Sequence, residues 1–433
     1  MTSSVGVIGL GNMGVSVLGA CLHKGRSCVA VDLDRRKLAE LAAGRTVVPE
    51  HGIEAILATA LAEGRLQTGD TAKATRDCAL VFVGVQTPAA GEQCDYTALE
   101  AVLRELASTS PDGQVIVIGS TVFPGALAAE ILPIFTARPG LEVVYEPVFL
   151  RAGYGIDDYL RPGKLVAGTR NPANPPAVLE RFFRDVVEVP ARYVGYAEAE
   201  WIKMIHNAWM GLKISFANEV GALCTEHGVA PADIIDIAFG EGAWGRLLTR
   251  SHMKPGPPYS GPCLPKDAQI LGGLLAASKH HEWFEQGVCR ALRTSNEKHR
   301  QDLVQRWLNL GLGSGRPLGI IGTAFRPGFN EMRESLALDF IRAAQGVDAE
   351  VLAYDPMFEG IDRQAFALAA RQNTFVESLY DTVSQPLERV WCDCEVVLVN
   401  RTLSDVERRR IQALGTVPRF VMDLYENGPL QAG

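Results

Sequence analysis

Near its start the chain reads Val5-Gly6-Val7-Ile8 and then Gly9-Leu10-Gly11-Asn12-Met13-Gly14. The first four residues predict a short buried strand, and the run from Asn12 to about His23 predicts a helix. Strand, G-x-G-x-x-G turn and helix in this order form the dinucleotide-binding arrangement. Its glycines let the backbone close on a pyrophosphate held at the helix N-terminus. A second apolar run, 28–31, ends at Asp32, 18 residues past Gly14. A carboxylate there accepts from a ribose 2′-OH and so selects NAD over NADP. This opening commits the chain to a doubly wound α/β sheet, with Gly9, Gly11, Asn12, Met13, Gly14 and Asp32 around NAD.

Further strands are predicted at 80–85, 115–118 and 142–147. The first two end in polar turns, Gln86-Thr87-Pro88 and Ser120-Thr121. Open parallel sheets bind ligands beyond the carboxyl ends of their strands, so Thr121 falls where the nicotinamide or the reacting carbon would sit. The segment after the third strand runs Phe149-Leu150-Arg151-Ala152-Gly153.

Residues 197–227 read as one long helix. Its apolar residues Trp201, Ile205, Ala208, Leu212, Phe216, Val220 and Leu223 recur at steps of three and four. Lys203 and Asn207, four apart, share a face away from that stripe's centre. Helices are also expected over 231–239, 266–277 and 285–308. Between them lies K-P-G-P-P-Y-S-G-P-C-L-P-K-D, 254–267. Pro265 suits the first turn of a helix, which puts Cys263 at the positive helix end with Lys266 three residues on. Both features favour the reactive thiolate. After the linker-like run 311–315, strands follow at 317–322, 351–354, 396–399 and 420–424. The second of these ends at Asp355, as 28–31 ends at Asp32. Arg326 and Arg333 lie in the loop after the first, where a diphosphate would need cations.

The whole is expected to be α/β: two Rossmann-like doubly wound parallel-sheet domains, 1–196 and 311–433, joined by a long central helix and a helical middle domain, 197–310. A net charge of −8 argues against nucleic acid or a membrane surface as partner. Nine scattered cysteines with no disulfide framework point to a reducing, cytoplasmic setting. Cys392 and Cys394 are too close for a C-x-x-C hook, so no metal is expected. No apolar run reaches membrane-spanning length, and none at the start reads as a signal peptide.

Taken together, these stretches resemble the UDP-glucose/GDP-mannose dehydrogenase family over essentially the whole chain. The likeness rests on G-L-G-N-M-G (9–14), Q-T-P (86–88), S-T-V (120–122), P-V-F-L-R (147–151), E-W-I-K-M-I-H-N-A-W (200–209), F-A-N-E-V-G (216–221), S-G-P-C-L-P-K-D (260–267), A-F-R-P-G (324–328) and R-E-S (333–335). The resemblance implies four-electron oxidation of a nucleotide-linked hexose with NAD, through a thiohemiacetal and then a thioester on Cys263. It assigns Lys203 and Asn207 to the oxyanion, Asp267 to acid–base or water-orienting work, and Thr121 to holding water. Gly9, Gly11, Gly14, Asp32, Lys37, Thr87, Ser120 and Arg333 become cofactor contacts. Phe149, Leu150, Arg151, Lys254, Tyr259, Phe325 and Arg326 become the nucleotide-sugar cradle. The central helix is expected to join two copies.

The chain departs from the family pattern in places. In the segment N-P-E-F-L-x-E-G both family glutamates are replaced, by Val148 and Ala152, and the basic residue before S-T-V is Gly119. The lysine after A-F is Arg326, and Pro258 and Ser260 stand where the cysteine loop carries glycines. The lost glutamates serve acid–base and hydrolytic steps. Glu146 is a candidate substitute, because positions 146 and 148 of an extended segment point the same way. Two alternatives follow: a one-step dehydrogenase or redox isomerase that uses Lys203 without the thiol, and a non-catalytic nucleotide-sugar binder.

Overall fold

The computed structural model describes residues 4–91, 93–230, 234, 237–238, 256–261, 263–279, 282, 287–324, 328–370, 373–415, 418–424 and 428–430. It divides into two compact units, Met1–His206 and Asn207–Gly433.

The first unit is built on strands β1 (Val5–Ile8), β2 (Cys28–Val31), β3 (Leu66–Gly69), β4 (Leu80–Val83), β5 (Val115–Ile118), β6 (Glu142–Tyr145), β7 (Leu165–Gly168) and β8 (Ala191–Val194). They form one eight-stranded sheet in the order β8-β7-β6-β5-β4-β1-β2-β3. β1 lies in register between β2 and β4, Val5 opposite Cys28 and Leu80. The order reverses beside β1, and that switch point is where such sheets bind ligands. Every neighbouring pair is parallel except β6–β7, which meet antiparallel at Tyr145 and Gly168. β1, β2, β4 and β5 are wholly buried four-residue runs of mostly branched residues. That is the composition expected of strands covered on both faces. β3 and β8, whose residues are largely polar or half-exposed, escape a reading based on apolar runs.

The second unit carries β9 (Leu318–Ile321), β10 (Val351–Tyr354), β11 (Val396–Val399), β12 (Phe420–Asp423) and β13 (Gly428–Leu430), in the order β10-β9-β11-β12-β13. β12 and β13 pair antiparallel; the rest are parallel.

Six helices matter below: α1 (Asn12–His23), α2 (Gly155–Leu160), α3 (Tyr196–Glu226), α4 (Leu264–Ala276), α5 (Val288–Gly311) and α6 (Leu336–Gln345). The end of α5 sinks Leu303, Trp307 and Leu308 into the core of the second sheet, against Leu318, Ile320 and Phe340. The rings of Trp307 and Phe340 meet edge-on, 5.1 Å between centroids. The helix expected over 231–239 lies largely outside the described residues. No helix among them is long and apolar enough to cross a membrane.

Much of the apolar stripe of α3 is exposed, although Ala208 and Leu212 pack against Tyr259, Ala268 and Leu292. Trp201, Ile205, Phe216 and Leu223 are 45, 62, 48 and 56 % exposed, and Trp209 is 52 % exposed, while Met204, Asn207, Ser215, Ala217 and Asn218 are buried.

Candidate active site

In the first unit the glycine turn follows β1, and the turns after β4 and β5 lie beside it. Gly9 sits at φ +92°, in the left-handed region that favours glycine. A Cβ on Gly14 would come 1.8 Å from the carbonyl oxygen of Gly9, so the helix starts hard against the turn. Around Gly11 the situation is the opposite: none of the described residues comes within 4 Å of where its Cβ would be. Gly11 caps α1 without a side-chain bond. Open space at the start of a helix fits a dinucleotide pyrophosphate.

Asp32 closes this site. Its carboxylate accepts from Leu10 N at 2.7 Å, Asp34 N at 2.9 Å and Lys37 Nζ at 2.9 Å. An ionised carboxylate has about four lone-pair sites, so room remains for a ribose hydroxyl. Met13 explains the missing basic residue before S-T-V. Cβ atoms on Gly84 and Gly119 would come 2.6 Å from its sulfur and 1.8 Å from its terminal methyl. The methionine occupies the space a side chain at 119 would need.

The Ser120-Thr121 turn is held from several sides. Thr87 Oγ1 donates to Thr121 O at 3.0 Å, and Ser120 Oγ to Val85 O at 2.7 Å. Tyr96 Oη accepts from Phe123 N at 3.0 Å. Glu200, one turn before Lys203 on α3, takes Gly125 N at 2.9 Å and Leu127 N at 2.8 Å on its two oxygens. Thr121 and Lys203 are thereby fixed to one framework. A glutamate one helical turn before the lysine was the available sequence signal for this tie, but nothing in the sequence names its distant partners.

Lys203 Nζ donates to Val148 O at 2.7 Å and lies 5.1 Å from the centre of the Phe149 ring. Lys164 Nζ lies 4.3 Å from the same ring and 3.0 Å from His206 Nδ1. His206 packs edge-on to Phe149 at 4.7 Å. Burial, then the charge of Lys203, lowers the pKa of Lys164. Leu150 is half-buried beside this cluster in sequence, and Arg151 is exposed and paired with Asp158.

Glu146 does not take the place that strand alternation suggested. It is 2 % exposed, and its carboxyl accepts from Tyr159 Oη of α2 at 3.2 Å. Burial pushes its pKa up to about 8, against the opposing pull of the Tyr159 bond. A carboxyl whose folded pKa is raised contributes stability in full below its unfolded pKa and loses it as pH rises through the folded value. Glu146→Gln is therefore expected to leave stability unchanged near pH 4.5 and to raise it by about 2–4 kcal/mol near pH 9. Denaturant midpoints of both proteins across that range check this; parallel curves would contradict it.

In the second unit Cys263 is exposed and caps α4, with Pro265 in the first turn. Helix geometry and sequence agree here because the whole arrangement spans four residues. Asn207 Nδ2 donates to Asp267 Oδ2, and Lys266 Nζ stands 3.0 Å from Asp267 Oδ1. Asp267, 3 % exposed, is thus gripped on both oxygens. Tyr259 is buried; its hydroxyl donates to Leu292 O at 3.3 Å and its backbone is clasped by Asn296. It anchors the cysteine loop.

Arg333 comes to this loop from the segment after β9. Gly261 N donates to Glu334 O at 3.0 Å, and Glu334 is held at φ 56°. Arg333 is paired through two nitrogens with the buried Glu331, at 2.9 and 2.7 Å. Burial pulls the Arg333 pKa down, but Glu331, Cys263 and Glu334 more than offset it, and the net shift is upward. The cysteine thus has a helix N-terminus and a guanidinium contributing positive potential. Lys254, Phe325 and Arg326 lie outside the described residues.

Residues 3–187 match the NAD binding domain of the UDP-glucose/GDP-mannose dehydrogenase family, 197–298 its central domain and 319–425 its UDP binding domain. A UDP-glucose 6-dehydrogenase of Bacillus subtilis is 30 % identical over 360 residues, 82 % of this chain and 76 % of that protein. A GDP-mannose 6-dehydrogenase of Pseudomonas syringae pv. tomato is 28 % identical over 368 residues, 82 % of this chain and 81 % of that one. Among solved structures, a UDP-glucose dehydrogenase from Pyrobaculum islandicum superposes with a TM-score of 0.80 at 25 % identity, covering 99 % of this chain and 95 % of that one.

Proposed function

The chain belongs to the UDP-glucose/GDP-mannose dehydrogenase family, an NAD-dependent nucleotide-sugar dehydrogenase, and on that premise we propose that it oxidises the C6 alcohol of a UDP- or GDP-hexose to the uronate through Cys263. NAD, when bound, supplies the hydride acceptor for each of two oxidations. Gly11 and the open first turn of α1 hold its pyrophosphate, and Asp32 its ribose.

The Cys263 thiolate attacks the C6 aldehyde left by the first oxidation. A C–S bond forms, and Lys203 and Asn207 donate to the oxygen that becomes an alkoxide. The second oxidation turns this adduct into a thioester. Water then attacks the carbonyl carbon, the C–S bond breaks, and the thiolate returns. Asp267 keeps the Asn207 amide aimed while Lys266 neutralises it. Thr121 orders water. Phe149, Leu150 and Arg151 line the sugar end. The single observation that carries this reading is an exposed thiol at a helix N-terminus with Arg333 within its field.

A second copy of the chain packed along α3 accounts for its exposed Trp201, Ile205, Trp209, Phe216 and Leu223. The test of function is a panel of UDP- and GDP-hexoses with NAD, following NADH and product mass. Two NADH per sugar and a uronate are expected. One NADH per sugar would replace the four-electron reading with a one-step dehydrogenase, and none, with a thermal shift on ligand addition, would leave a binder.

A further inference from the structure

Phe149, Leu150 and Arg151, the proposed sugar end, run through Gly153 into α2, and α2 is seated directly on the cofactor helix α1. A Cβ on Gly155 would come 2.0 Å from Ser16 Oγ, and one on Gly19 would come 2.5 Å from Ile156 Cδ1. A glycine on each helix thus lets the start of α2 lie against α1, about one and two turns beyond the nucleotide-binding turn.

Glu50 stands between the two helices. It is 7 % exposed and comes from the loop before the helix Ile53–Ala62. Its carboxyl accepts from Ile156 N at 3.1 Å and from Gly155 N. These N–H groups belong to the first turn of α2 and have no acceptor inside the helix. The other oxygen lies 3.4 Å from Ser16 Oγ, and Ser16 Oγ donates to the carbonyl of Asn12, the first residue of α1, at 2.7 Å. Beside it, His51 N donates to Gly153 O at 3.1 Å. Burial raises the pKa of Glu50, the Ile156 and Gly155 N–H groups and Ser16 pull it down, and Asp158 adds to the rise. Burying a carboxyl is costly unless its lone pairs are filled. Here they are filled by α1 on one side and by the end of the sugar segment on the other.

We propose that Glu50 is a positioning residue that couples NAD binding at α1 to the order of segment 149–156, an inference that rests on the nucleotide-sugar reading above. NAD fixes the turn 9–14 and the first turn of α1. Ser16 carries that constraint from Asn12 O to Glu50, and Glu50 passes it to the N–H groups of 155 and 156. By linkage, a sugar that orders the segment tightens NAD by the same factor.

Hydrogen exchange of the full chain, read on peptides covering 149–156, tests this without turnover. Saturating NAD should slow exchange there about fivefold or more in the wild type. Ser16→Ala breaks the tie to α1 and leaves Glu50 on α2, so NAD should still bind while its effect on 149–156 shrinks to about twofold or less. Glu50→Ala should behave alike. Glu50→Gln, whose amide oxygen still accepts from 155 and 156 and whose N–H reaches Ser16, should keep most of the wild-type response. At saturating NAD, Ser16→Ala and Glu50→Ala should raise the sugar-nucleotide KM about tenfold with kcat within about threefold. A merely structural residue would lower the melting temperature without that split. If Glu50→Ala does not fold, Ser16→Ala carries the test. An unchanged NAD response in Ser16→Ala overturns the proposal, and so does a wild type in which NAD leaves 149–156 unaffected. A wild type that shows the NAD-dependent slowing yet oxidises no UDP- or GDP-hexose supports the coupling and refutes the C6 reading instead.

Discussion

Serine in place of Cys263 is expected to lower the rate of uronate formation by about 10³-fold or more, the scale on which removal of a covalent nucleophile is felt. A thiol ionises near neutral pH and a serine hydroxyl does not, so the variant cannot trap the aldehyde. The first oxidation needs no sulfur, so aldehyde should be captured by an added hydrazine, with at most one NADH per sugar. The fold should not suffer. Cys263 makes no side-chain capping bond to α4, whereas serine is a preferred N-cap residue. The melting temperature should hold or rise slightly, which separates lost chemistry from lost structure. Wild-type turnover in this variant would move the function to a dehydrogenase that relies on Lys203 alone.

Gly14→Ala is the second large effect. The new Cβ would lie 1.8 Å from Gly9 O, and both are backbone-fixed, so no rotamer change relieves the clash. Gly9 cannot retreat easily, because its N–H donates to Val31 O at 2.8 Å and its φ is +92°. Either the turn opens or α1 moves away. NAD affinity should fall about 100-fold or more, with about 1–3 kcal/mol of stability lost to overpacking. Gly11→Ala is the matched control. With none of the described residues within 4 Å, its stability without ligand should be unchanged, while NAD binding weakens because the methyl enters the ligand's space. Titration with NAD and denaturant unfolding of both variants check the contrast; equal stability losses would contradict the geometry.

Much of the fold was legible because it is written locally. β1, β2 and β5 fall where four-residue apolar runs put them, and Cys263 caps α4 because Pro265 starts the helix. β7 and β8 gave weaker signals: Leu165–Gly168 is short, and Ala191–Val194 is only partly buried at the sheet edge. The stripe along α3 is periodic as read, and the structure leaves much of it exposed. Periodicity shows that one face is apolar, not what covers it.

The sequence alone settled the glycine turn with Asp32 behind it, the lysine and asparagine one turn apart, and the thiol at a helix start. In each case the deciding contacts fall within one local motif or a single strand–turn–helix unit, where backbone geometry leaves few options. Only tertiary structure decided that Met13 fills the space at Gly119, that Glu200 ties α3 to the turn beyond Thr121, and that Arg333 reaches the cysteine loop. It alone set Lys164 against His206, 42 residues apart. Such pairs depend on which chain segments pack side by side, and one sequence carries no local trace of that choice.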